Sequence, residues 1–204
     1  MANFFKKLFG SSPTNEQTEN QDPMVTKSII ATSENGPFGL SMGQPYDSLE
    51  LAPYTPDNFF YEILAVPEPT EDFQTVIGRF YSENGLSAIQ SFTIPTLDDS
   101  QGKKVMNQLN SLKKLLTKEY GKPKIIDNSF AEIRAGWMKE IFDFDRFYSV
   151  SWDSDDAGVS LPKNVSQVGL TIVAENDSSG FINLQYTFVN DKVAAEAISQ
   201  NLNE

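Results

Sequence analysis

Val165–Val189 runs VSQVGLTIVAENDSSGFINLQYTFV. Ile182, Leu184, Tyr186 and Phe188 alternate with less apolar residues, which puts all four on one face of an extended strand. Val165 to Glu175 supplies a partner strand, and the polar Asn176-Asp-Ser-Ser-Gly180 reads as the turn between them. The stretch predicts an antiparallel hairpin with a buried face.

Working outward, the same grammar recurs upstream. Phe73 to Tyr81 and Leu86 to Ile94 are joined through Ser82-Glu-Asn-Gly85, and Asn84-Gly85 readily takes positive φ. Asn58 to Val66 (NFFYEILAV) reads as a strand, as does Phe147 to Asp153; Lys124 to Asp127 and Val25 to Ala31 are shorter candidates. Pro45 to Leu51 reads as a turn or short helix within connecting structure.

Ser100 to Tyr120 carries the best-marked helix. Val105, Leu109, Leu112 and Leu116 form its apolar stripe, Asp99 or Ser100 can cap it, Gly121 can end it and Pro123 forbids continuation. A second helix is expected from the capping box Ser129-Phe-Ala-Glu132, with Phe130, Ile133, Trp137 and Ile141 as its buried stripe. A last one, capped by Asn190 or Asp191, carries Val193, Ala197, Ile198 and Leu202.

Two β-β-β-α halves result, about 58–120 and 147–202, without sequence identity between them. The expected fold class is α+β: a mainly antiparallel sheet from these halves, with helices packed on one face, in a single domain over 24–204. Ser11 to Pro23 holds no large apolar residue and reads as a disordered linker. Ahead of it, residues 1–10 form a short amphipathic aromatic and basic tail.

Phe38-Gly39-Leu40 with Gly43, together with Tyr120-Gly121-Lys122-Pro123 closing a helix, resembles a pattern in small bacterial proteins of no assigned function. The resemblance implies a bacterial source and carries no site.

Composition removes several chemistries. The 204 residues include no cysteine and no histidine, so thiolate nucleophiles, cysteine metal sites and the usual base near neutral pH are absent. Gly39-Leu-Ser-Met-Gly43 lacks the Gly-Lys-Ser/Thr ending of a phosphate loop. Asp153-Ser-Asp-Asp-Ala-Gly158 starts like a calcium loop, but Ala157 and Asn164 stand where two ligands belong, so a solvated acidic turn is expected. Ser100-Gln-Gly-Lys103 and Ser111-Leu-Lys-Lys114 match S-x-x-K without its companion motifs. Glu62, Asp143, Asp145 and Glu175 lie beside apolar residues, and surface or ion-pair roles are expected for them. No catalytic residue, metal or cofactor is assigned.

Charge is the more informative signal. The net charge is −12, which disfavours nucleic acid as a partner. Seven lysines nevertheless fall between Ser100 and Lys124, against the single acid Glu119. Lys103, Asn107, Asn110, Lys114 and Lys118 line the face opposite the apolar stripe, a candidate surface for a partner or an anion. Phe4, Phe5, Lys6, Lys7, Leu8 and Phe9 are candidates for docking on a membrane or in a groove. The expected function is a non-enzymatic protein-interaction module in the cytoplasm, an acidic inhibitor or immunity protein or an adaptor, with a protein partner. The alternatives are a peripheral protein at the inner face of the membrane, docked through the tail, and a carboxylate-dependent enzyme.

Overall fold

The computed structural model describes residues 27–54, 59–81, 84–130 and 136–192. Eight strands form one antiparallel sheet: β1 (Leu51–Pro53), β2 (Phe60–Ile63), β3 (Phe73–Tyr81), β4 (Gly85–Thr93), β5 (Lys124–Ser129), β6 (Arg146–Asp153), β7 (Val165–Asn176) and β8 (Ser179–Phe188). Their order is β1-β2-β3-β4-β8-β7-β6-β5. Two helices, α1 (Lys103–Tyr120) and α2 (Trp137–Phe142), complete an α+β domain.

Register decides which residues share a face. Tyr186 lies opposite Ile89 and Val168, and Leu184 opposite Ser91 and Leu170, which in turn faces Val150. All six residues named after Tyr186 are buried with it in the face that receives α1. The helix contributes Val105, Leu109, Leu112 and Leu116, the stripe its periodicity predicts, together with Tyr120 at its end, all buried. At about 25 cal/mol per Å² of apolar surface, such a stripe outweighs the helix's intrinsic propensity as its source of stability. Thr93 ties three elements together, donating to Gln108 Oε1 at 3.2 Å and accepting from the Ile182 N–H at 3.0 Å. α2 covers the same face farther along: a Cβ on Gly180 would run into Met138.

Both hairpins form where expected, and Gly85 takes φ 63°. Other expectations are corrected. Lys27–Ile29 is a 3-10 turn in place of a strand over Val25–Ala31, and residues 25 and 26 lie outside the described residues. The Ile29 carbonyl there accepts from the Tyr186 hydroxyl and the Ala31 N–H donates to Tyr120, so side chains of the core satisfy this backbone instead of a ladder. Within the stretch from Pro45 to Leu51, Tyr46–Ser48 is a short 3-10 helix as expected, but Leu51 already belongs to β1, paired with β2; β2 itself is only four residues long.

The helix expected from Ser129 starts eight residues later. Ser129 belongs to β5, opposite Arg146, and Gly136 precedes α2 at φ 135°, a conformation that interrupts a helix. Phe130 is consequently 70% exposed instead of buried; Ile133 and Glu132 lie outside the described residues. The last helix begins at residues 189–192, and Val193, Ala197, Ile198 and Leu202 lie outside the described residues. Asp191 pairs with Arg79, which stands opposite Ala88 on the sheet face away from α1.

Candidate interaction surface

The lysine face is held in place by how α1 begins and ends. Asp99, only 5% exposed, accepts at Oδ2 from the Val105 N–H at 2.9 Å, capping the helix from four residues before its start. Between them Gly102 adopts φ 66°, and a Cβ there would lie inside the Trp137 ring. The other end closes at Gly121, φ 89°, whose N–H donates to Thr117 O, while its carbonyl accepts from the Trp152 indole. Both ends are thus locked to the sheet and α2, which fixes the rotation of the helix about its axis.

That rotation presents Lys103, Asn107, Asn110, Lys114 and Lys118 to solvent; all five are exposed. At 1.5 Å per residue they make a stripe about 22 Å long. Lys122 and Lys124, also exposed, extend the basic surface past the helix. Among the described residues, the ion pairs are Arg79–Asp191, Lys139–Asp143, Arg146–Asp127 and Arg146–Glu140, none of them on α1. Lys104, off the stripe, spends its ammonium on Leu97 O at 2.7 Å. The positive stripe therefore stands without acids folded over it from elsewhere in the described chain.

The other candidates have structural employment or fall elsewhere. Phe4, Phe5, Lys6, Lys7, Leu8 and Phe9 lie outside the described residues. Asp153 accepts from the Asp155 N–H and the Gln167 amide, holding the acidic turn between β6 and β7. Ser111 donates to Asn107 O within α1. Asp143 pairs with Lys139 and Glu175 accepts from Ser179. Glu62 sits near Tyr54, whose hydroxyl pKa is raised by burial and then by that carboxylate. Among the described residues, no group of three or more acidic side chains is arranged to hold a metal ion, and no helix is long and apolar enough to cross a membrane.

Two features escaped the sequence. Arg146 is nearly buried between Glu140, at 2.9 Å, and Asp127, at 2.5 Å, with the Trp137 ring 5.9 Å from its guanidinium carbon. Burial alone would lower the guanidinium pKa, but the Glu140 hydrogen bond and the two carboxylate charges outweigh it and raise it. The second is an aromatic rim around β5, formed by Phe130, Phe142, Phe144 and Phe147, all exposed. Its signal was the alternation Phe142-Asp-Phe-Asp-Arg-Phe147, where acids separate aromatics that no buried stripe requires. No family model, curated protein or solved structure matches the chain.

Proposed function

We propose that the protein is a non-enzymatic interaction module that engages an acidic partner protein through the α1 stripe. One observation carries this reading: Lys103, Lys114 and Lys118 are exposed and unpaired on a molecule of net charge −12. Intramolecular acids are abundant, and long-range attraction would favour placing them there, so a bare stripe concentrates attraction for an outside anion. The acidic remainder repels competing anions from other approaches and so orients the encounter. The same proposal covers an adaptor or inhibitor role in a bacterial cytoplasm.

The test is capture of a partner from lysate by the native chain and by K103E/K114E/K118E, at low and at high salt. The expected result is a protein retained by the native chain at low salt and lost with either change. Equal capture by both chains excludes the stripe as the docking surface.

An alternative keeps the stripe and replaces the acidic protein with anionic lipid, helped by Lys6, Lys7 and the neighbouring phenylalanines. Flotation with anionic vesicles, unchanged by K6E/K7E and by the triple substitution, rules it out.

The two-halves arrangement belongs to the same proposal. The adjacency of β4 and β8 at the centre of the sheet supports it, since each ends one run of four strands, β1 to β4 and β5 to β8. The helical turn at residues 189–192, directly after β8, supports it as well.

A further inference from the structure

β5 is the last strand of the sheet, bonded on one side only, by β6. The Phe130 N–H donates to Asp145 O, and alternation along an antiparallel ladder then turns the backbone groups of Asn128, Ile126 and Lys124 toward β6. Those of Ile125, Asp127 and Ser129 point the other way, to an edge where no described strand lies. Edges are ordinarily blunted by proline, bulges or free charges. β5 has no proline and no register shift, the Asp127 carboxylate is engaged by Arg146, and the one free charge of the strand is Lys124 at its first residue.

An apolar rim adjoins this edge, with Phe130 70%, Phe144 89% and Phe147 45% exposed. Phe144 is the most telling. The Asp145 N–H donates to Glu140 O and the Phe144 N–H to Ile141 O, the pattern that closes a helix through a left-handed residue. Glycine is the usual occupant of that position; here a phenylalanine holds φ 63° with its ring in solvent. Neither backbone preference nor packing accounts for it, and strain of this kind points to function. Asp145 follows Phe144 in the chain and is in no ion pair among the described residues, whereas Asp143 before it is paired with Lys139.

We propose that Met1–Gly10 of this chain docks along the β5 edge, its phenylalanines on Phe130, Phe144 and Phe147 and its lysines beside Asp145. Composition matches the rim: the segment carries Phe4, Phe5, Leu8, Phe9, Lys6 and Lys7 and no acid. The path permits it. The Tyr186 hydroxyl holds the Ile29 carbonyl and Tyr120 holds the Ala31 N–H, so the described chain starts over β8, three strands in from this edge and about 14 Å from it. The intervening residues 11–26 span up to about 55 Å when extended, against about 20 Å for the edge itself. A second copy is the weaker occupant, because two chains of net charge −12 repel. This docking is independent of the α1 stripe.

Amide exchange in the full chain tests it, comparing native protein with F5S/F9S and with K6E/K7E. The Ile125 and Asp127 amides should exchange about tenfold faster in both variants, with the α1 amides of Leu109 and Leu112 unchanged. A synthetic peptide of residues 1–10 added to F5S/F9S should restore the slow exchange, and less so at high salt. Equal exchange at Ile125 and Asp127 in all three chains overturns the proposal. So does protection that survives both variants and grows with protein concentration, which would mark a second copy. Free exchange at this edge, with residues 1–10 protected only when anionic phospholipid vesicles are added, overturns it in favour of a membrane.

Discussion

The hydroxyls of Tyr120 and Tyr186 lie 3.1 Å apart in the core, joining the end of α1 to the middle of β8. Tyr186 donates onward to Ile29 O at 2.7 Å, and the Ala31 N–H donates to Tyr120 at 2.7 Å. A chain of four groups thereby fastens the first described segment to the core. Tyr186→Phe leaves the Ile29 carbonyl buried without its donor and is expected to cost about 1–3 kcal/mol. Urea unfolding measures it; a loss below the lower bound would mean that the carbonyl finds another partner.

The same pair sets a prediction for alkaline pH. Burial raises both phenol pKa values from 10.0, that of Tyr186 well above it. The native state therefore keeps protons that the unfolded chain releases as pH rises past 10, so stability falls from that point upward and is complete below it. Unfolding free energies between pH 8 and 11.5 should decline more steeply for the native chain than for Y120F/Y186F. Parallel curves would show that the pair does not carry the effect.

Gly102 was invisible as a constraint in the sequence, where Asp99 and Ser100 looked sufficient to start the helix. Gly102→Ala must hold a side chain at φ 66° and displace the Trp137 ring, at an expected cost of about 2–4 kcal/mol. Asp99→Ala removes only the bond to Val105, at about 1–2 kcal/mol. Thermal unfolding should rank the two in that order.

Arg146→Met should be among the most damaging single changes outside the apolar core. It strands Glu140, 3% exposed, without a counter-charge, costing roughly 3–5 kcal/mol. Adding Glu140→Leu should recover most of that, since two apolar side chains need no desolvation to be offset. A double variant as unstable as Arg146→Met alone would show that Asp127, not Glu140, carries the coupling.

What could be read in advance follows the range of the interactions involved. The hairpins at Asn84-Gly85 and Asn176–Gly180, and the stripe from Val105 to Leu116, are local patterns, and each forms where periodicity and turn chemistry put it. Ser129-Phe-Ala-Glu132 is an equally good local signal, overridden because pairing with Arg146 draws Ser129 into β5. Tyr186 was legible as core, but its hydroxyl partners come from near the chain start and from α1. Lys103, Lys114 and Lys118 were legible as one stripe, since three- and four-residue spacing suffices. That the stripe is bare depends on where every acid folds, which no local pattern encodes.

Phe144→Gly is expected to stabilise the protein, by about 0.5–1 kcal/mol, because glycine takes φ 63° without the penalty a phenyl-bearing residue bears. The gain is small since glycine also frees the unfolded chain. A loss in denaturant unfolding would mean that the exposed ring supports the fold after all.

Lys114 and Lys118 stand four residues apart on α1, a like-charge pair that repels along the helix. Lys114→Glu converts it to a favourable pair with the glutamate N-terminal, the better orientation. If the stripe is as bare as its ion-pair geometry indicates, no bridge is lost, and stability should rise by about 0.3–1 kcal/mol at low salt. The gain should fade toward zero in 1 M salt, where the screening length falls to about 3 Å. A loss of more than about 0.5 kcal/mol at low salt would reveal acids folded against this face and remove the ground for partner docking there.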